Sequence, residues 1–196
     1  MTGARDDLPE FLDAILGAGV DIVQLREKTA EAGDLLGWSA MFREAADRYG
    51  ALFILNDRPD VALAAGADGV HVGQDDLPVD VARRIVGPDA VIGLSCHRVE
   101  DYEQASADAD YLTAGPVYET PTKPGRPGVG LELVRHAAGH VDRPWFAIGG
   151  IDATNIADVG AAGARRIAVV RAVTEADDPA SAVRDLRSAL PPPESE

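Results

Sequence analysis

The chain has 196 residues, of which 46% are hydrophobic and only 5% aromatic, the make-up of one folded domain rather than a disordered or fibrous segment. With 33 acidic residues against 18 basic, the formal charge is −15; such a surface repels phosphodiester backbones and anionic lipid and argues against nucleic-acid or membrane-surface binding. No apolar run reaches the ~18 residues needed to cross a bilayer. The polar start through Asp7 offers no secretory signal, and the one cysteine, Cys96, cannot form an internal disulfide, so a cytoplasmic location is expected.

Taken in chain order, the first helical pattern covers 8–18, and nothing before Leu8 is apolar enough for a strand. Asp21–Leu25 then reads as a buried strand and 34–49 as an amphipathic helix. The alternation continues with strands at Leu52–Leu55, Gly69–Val72, Val91–Leu94, Tyr111–Ala114, Trp145–Ile148 and Ile167–Val170. Helices are expected over 58–66, 79–86, 99–107, 131–139, 153–162 and 179–190. Strands alternating with helices of this length are βαβ units built on a parallel sheet. The turns around Gly19, Gly66 and Gly163 each place a glycine where a helix takes a left-handed cap. Gly19 and Gly66 stand two units apart, so the repeat is roughly 23 residues and the chain holds about eight units, the count of a TIM (β/α)8 barrel. Seven strands against eight helices leave that barrel without its first strand. No G-x-G-x-x-G follows any strand, which argues against a dinucleotide-binding sheet. Residues 1–190 are expected to form this single domain, and 191–196 a polar, proline-rich tail.

Ligands bind such barrels at the carboxyl ends of the strands, and the unusual residues fall there. Gln24, Arg26 and Lys28 alternate at a strand end, where two cations and an amide on one side make a polyphosphate clamp. A solvent-exposed strand end, with Glu27 paired to a neighbour, is the plainer alternative. Only Lys28 and Lys123 among the 18 basic residues are lysines, and both lie in these loops. Asp57 follows one strand, and Asp75 and Asp76 follow the next. A Mg²⁺ ion takes one or two carboxylates and completes its shell with water and phosphate; helix capping is the alternative for each aspartate alone. Spacing does not separate Asp75 from Asp76. Pro116–Gly130, with Thr120, Thr122, Lys123 and Arg126, is irregular enough for a binding loop. Gly149-Gly150 lets backbone N–H groups approach an anion ahead of a helix near Asp152, a tight turn that needs glycine being the alternative; Arg171 could complete that anion site or stand as an exposed arginine. His71, His136 and His140 read as structural, and Cys96 and His97 point different ways on a strand. No Ser/His/Asp set and no zinc-ligand spacing emerges. The inventory is phosphate binders and a hard-metal site without a nucleophile.

The stretches Val23–Lys28, Asn56–Arg58, Ala67–Asp76, Ile92–Ser95, Gly115–Lys123 and Ala147–Ile151 together resemble the thiamine-phosphate synthase (thiamine-phosphate pyrophosphorylase) family, in that family's order over residues 8 to about 190. The resemblance implies a Mg²⁺-dependent transferase. It would join 4-amino-5-hydroxymethyl-2-methylpyrimidine diphosphate to carboxylated or decarboxylated thiazole phosphate, giving thiamine phosphate and pyrophosphate. Carried over residue by residue, it assigns Gln24, Arg26, Lys28 and Asn56 to the pyrimidine diphosphate, with Leu25 and Glu27 in the same binding stretch. It assigns Asp57 and Asp76 to Mg²⁺, Ser95 and Lys123 to substrate and pyrophosphate, and Thr120, Thr122 and Gly150 to the thiazole phosphate. Val170 and Arg171 join that substrate-binding set, although many members carry serine where Arg171 stands; Glu119 likewise replaces a usual proline. A homo-oligomer is left open.

The chemistry suits this inventory. An aminopyrimidine can stabilise a benzylic-type cation, so diphosphate can leave before the thiazole nitrogen attacks. That step calls for Arg26, Lys28 and Lys123 as catalytic cations rather than for a nucleophile. Lys123→Ala is accordingly expected to lower kcat in a turnover assay; unchanged turnover would remove Lys123 from that role. Two other readings are a thiazole tautomerase-like isomerase and a truncated barrel that binds phosphorylated ligands without turnover.

Overall fold

The computed structural model describes residues 5–121 and 127–191. Contacts gather the chain into two units, Met1–Leu94 and Ser95–Glu196.

The first unit opens with helix α1 (Leu8–Gly17), whose Leu8, Phe11, Leu12, Ile15 and Leu16 recur at helical spacing and are all buried. Pro9 near its start fixes a helical φ where the backbone N–H has no intrahelical partner. Then follow β1 (Ile22–Leu25), α2 (Ala32–Tyr49), β2 (Leu52–Asn56), α3 (Pro59–Ala64), β3 (Gly69–Val72), α4 (Val79–Val86) and β4 (Val91–Cys96), the last two residues of β4 falling in the second unit. The strands are parallel, with Gln24 beside Ile54, Ile54 beside Gly69 and Val70 beside Ile92. Phe42 of α2 packs on Phe53 of β2, ring centroids 5.5 Å apart, and both are fully buried. An ion pair between Arg48 of α2 and Asp13 of α1, at 2.6 Å, ties the two helices together at the surface.

The second unit carries α5 (Val99–Glu103), β5 (Tyr111–Ala114), α6 (Leu131–His140), β6 (Trp145–Ile148), α7 (Ile156–Ala161), β7 (Ile167–Ala168), α8 (Arg171–Thr174) and α9 (Pro179–Ala189). Its strands are again parallel, with Leu112 beside Trp145 and Ala147 beside Ile167.

The fold is α/β, a succession of parallel strands and helices in the TIM-barrel pattern. Among the described residues there are seven strands, and none precedes α1. The glycines expected to turn helix into strand do so at positive φ: 101° at Gly19, 61° at Gly66 and 107° at Gly163. Several bounds differ from expectation. β7 is two residues long, because the Val170 carbonyl accepts the N–H groups of Val173 and Thr174 and starts α8, a helix absent from the periodicity. α7 begins only at Ile156. Before it, the Asp152 carboxylate accepts from the Thr154 N–H and hydroxyl, and Asn155 bridges the Asp152 N–H to the Gly150 carbonyl. Such side chains compete with helical hydrogen bonds and hold a turn instead. Among the described residues, no helix is long and apolar enough to cross a membrane.

Candidate active site

In the first unit, the ends of β1, β2 and β3 carry the residues singled out above. Leu25, the last residue of β1, is fully buried, so only its backbone is available to a ligand. Gln24 and Arg26 on either side are half-buried, and Glu27 accepts a hydrogen bond from the Thr29 hydroxyl at 3.2 Å. Arg26 carries no ion pair among the described residues. Lys28 reaches from this loop to Asp57, its Nζ 3.0 Å from Oδ2.

Asp57 follows half-buried Asn56 at the end of β2 and holds a φ of +65°. That region is sparsely used by residues other than glycine, and Asp and Asn are among those that tolerate it. The Asp57 N–H donates to the His71 carbonyl at 2.8 Å, which fixes the turn. Neither aspartate caps a helix: Arg58 and Pro78 occupy the N-cap positions of α3 and α4. Asp76 instead accepts the Gly73 N–H at 2.9 Å, and a Cβ on Gly73 would stand 2.8 Å from that same carboxylate oxygen.

The two carboxyl groups meet. Burial first, and then a hydrogen bond and charge from Asp76, push the Asp57 carboxyl above the ordinary carboxylate range, while Lys28 works in the opposite direction. A partly buried carboxylate with a second one beside it favours a cation close by, as the Lys28 ammonium shows. The donors are oxygens only, as a hard cation such as Mg²⁺ prefers. Among the described residues, no group of three or more His, Cys, Asp or Glu side chains is arranged for a metal. A two-carboxylate site leaves the remaining positions to water and phosphate.

In the second unit, a cavity of about 370 Å³ brings together Thr120, Gly150, Val170 and Arg171. Its floor is shaped by two glycines at positive φ. A Cβ on Gly149 would stand 2.5 Å from Pro116, and one on Gly150 would stand 2.7 Å from the Tyr118 Cβ. Backbone hydrogen bonds from Val117 to Ile148 (2.9 Å) and Tyr118 to Gly149 (3.0 Å) draw the two segments together. Arg171 lies 3.8 Å from Glu175 in a loose, exposed pair. Asp152 and Glu175 also line the cavity, a role sequence reasoning missed. Hydrogen bonds from the Thr154 side chain and backbone hold the Asp152 carboxyl below its ordinary value, with a smaller contribution from Arg171.

Ser95 is buried in β4, and His71 is buried in β3. His97 bonds through Nδ1 to the Gly115 carbonyl. Next to it, Cys96 is buried, and burial with a smaller push from Asp101 raises its thiol to about 12. Native Cys96 is therefore expected to resist Ellman's reagent at pH 8 and to react once the chain is unfolded; rapid native labelling would contradict its burial. Thr122, Lys123 and Arg126 lie outside the described residues.

The family model described as thiamine monophosphate synthase matches residues 1–173. The chain is 57% identical over 189 residues to the thiamine-phosphate synthase of Acidothermus cellulolyticus, covering 95% of this chain and 89% of that one. It is 54% identical over 198 residues to the Mycobacterium tuberculosis (strain ATCC 25177 / H37Ra) thiamine-phosphate synthase, with the same coverage of 95% and 89%. Among solved structures, it matches thiamine phosphate pyrophosphorylase from Pyrococcus furiosus with a TM-score of 0.84 and 37% identity, over 92% of this chain and 88% of that one. A 3-hexulose-6-phosphate synthase, at 19% identity and TM-score 0.69, covering 97% of this chain and 96% of that one, shares the fold. The chain is an enzyme of the thiamine-phosphate synthase family.

Proposed function

We propose that the enzyme transfers the (aminopyrimidinyl)methyl group of 4-amino-5-hydroxymethyl-2-methylpyrimidine diphosphate to the ring nitrogen of thiazole phosphate, carboxylated or not. The products are thiamine phosphate and pyrophosphate. The observation that carries this reading is Lys28 set on Asp57, with Asp76 beside it, at the strand ends of the first unit. A cation and a two-carboxylate oxygen site are what a diphosphate leaving group calls for.

Asp57 and Asp76 would hold Mg²⁺, which when bound would supply positive charge to the departing diphosphate. Gln24 and Asn56 orient the diphosphate by hydrogen bonds, and Arg26, Lys28 and Lys123 take up the negative charge that grows as the C–O bond breaks. The aminopyrimidine carries the positive charge until the thiazole nitrogen forms the new C–N bond. The Gly150 N–H, with Val170 and Arg171, anchors the thiazole phosphate, and Thr120 and Thr122 line that side. Ser95 contacts substrate. No protein nucleophile takes part, in keeping with a buried, high-pKa Cys96. The reaction takes place in the cytoplasm.

The test is pyrophosphate release with both substrates and Mg²⁺, against controls lacking each in turn. Release that needs all three is the expected result. Folded protein that binds both substrates without release would be a non-catalytic binder, and metal-independent conversion of thiazole phosphate alone would make it an isomerase.

A further inference from the structure

We infer that Lys28 is an internal stand-in for the divalent cation, so that metal and diphosphate are taken up together instead of metal first. The inference rests on the reading of Asp57 and Asp76 as the metal-holding pair.

The two carboxylates are fixed from behind. Asp57 is held by its N–H on the His71 carbonyl and by its left-handed backbone, and Asp76 by the Gly73 N–H. Lys28 is the movable member. It lies in the loop between β1 and α2, and its side chain is 53% exposed against 21% for Asp57. Its ammonium lies 3.0 Å from Asp57 Oδ2, a distance at which it satisfies the carboxylate that a divalent ion would use. A metal arriving alone must either displace this ammonium from its partner or share one carboxylate with a like charge. A diphosphate removes the conflict, because it gives Lys28 a charge-assisted partner of its own. Metal and diphosphate then strengthen each other's binding by the same factor, as linkage requires.

Mn²⁺ binding, measured by titration calorimetry with and without inorganic pyrophosphate, tests this. The wild-type protein is expected to bind Mn²⁺ weakly alone and far more tightly with pyrophosphate. Lys28→Gln is expected to tighten binding of Mn²⁺ alone by roughly 1.5- to 5-fold, the range set by a partly exposed ion pair, and to reduce the enhancement by pyrophosphate. Lys28→Arg, which keeps the competing charge, is expected to bind Mn²⁺ alone as weakly as wild type. Unchanged or weaker binding of Mn²⁺ alone by Lys28→Gln would overturn the inference and leave the metal reading standing. A double variant, Asp57→Asn with Asp76→Asn, that still binds Mn²⁺ normally in the presence of pyrophosphate would overturn the metal reading itself.

Discussion

Asp57→Asn is expected to lower kcat/KM by roughly 10²–10³ and at the same time to raise the melting temperature of the metal-free protein. On the proposed reading, the loss follows from replacing an anionic metal ligand by a neutral amide. The gain in stability follows from linkage. Burial and Asp76 raise the folded-state pKa of Asp57 above its unfolded value. A raised folded pKa gives a contribution that is fully present below the ordinary carboxylate pKa and is lost as pH rises through the folded value. At neutral pH the folded protein therefore carries an unfavourable charge, which asparagine does not have. Asparagine also tolerates the φ of +65° at this position. Melting curves of both proteins across the acidic range check the sign: the advantage of Asp57→Asn shrinks as pH falls through that window. A variant that melts lower than wild type at pH 7, or that keeps full activity, would contradict this account of the site.

Gly69→Ala is expected to destabilise the fold by about 3 kcal/mol or more. A Cβ at Gly69 would stand 1.9 Å from the Val91 carbonyl oxygen and 2.7 Å from its carbon. Both atoms belong to the backbone of β4, paired to β3 at this residue, so no side-chain rotation relieves the clash. The strands must part, and all four residues of β3 are buried. Gly37→Ala, in the middle of α2, is the matched control, because nothing lies within 4 Å of the added methyl group. There the change is expected to stabilise by about 0.5–1 kcal/mol through helix propensity. Urea unfolding of both variants separates the two cases. A Gly69→Ala protein as stable as wild type would show that the sheet accepts a methyl group at this pairing.

The sequence makes the strands legible because each is a short apolar, β-branched run bounded by turn residues. Gly69–Val72, Tyr111–Ala114 and Trp145–Ile148 have the expected bounds. The four-residue α8 escapes because it completes only one turn and no period can show. For the same reason Val169 and Val170 read as strand although they lie on a cavity wall. Asp57 was visible as a carboxylate after a strand, but spacing alone could not choose its partner. Asp76, which the Gly73 N–H holds, is the carboxyl that acts on the Asp57 carboxyl to push it upward. Asp152 and Glu175 line the second-unit cavity only because an Asp-Asn turn and a single helical turn happen to face it, and neither carries a motif at all.

Single-turnover analysis tests the transfer most directly: enzyme in excess over the pyrimidine diphosphate, Mg²⁺ present, products separated and counted with and without thiazole phosphate. The account predicts one thiamine phosphate for each pyrophosphate, and little net pyrophosphate when the thiazole is left out, because the cation then returns to the held diphosphate. Pyrophosphate and the free hydroxymethylpyrimidine formed at the same rate without the thiazole would mean a hydrolase, and would contradict the transferase reading.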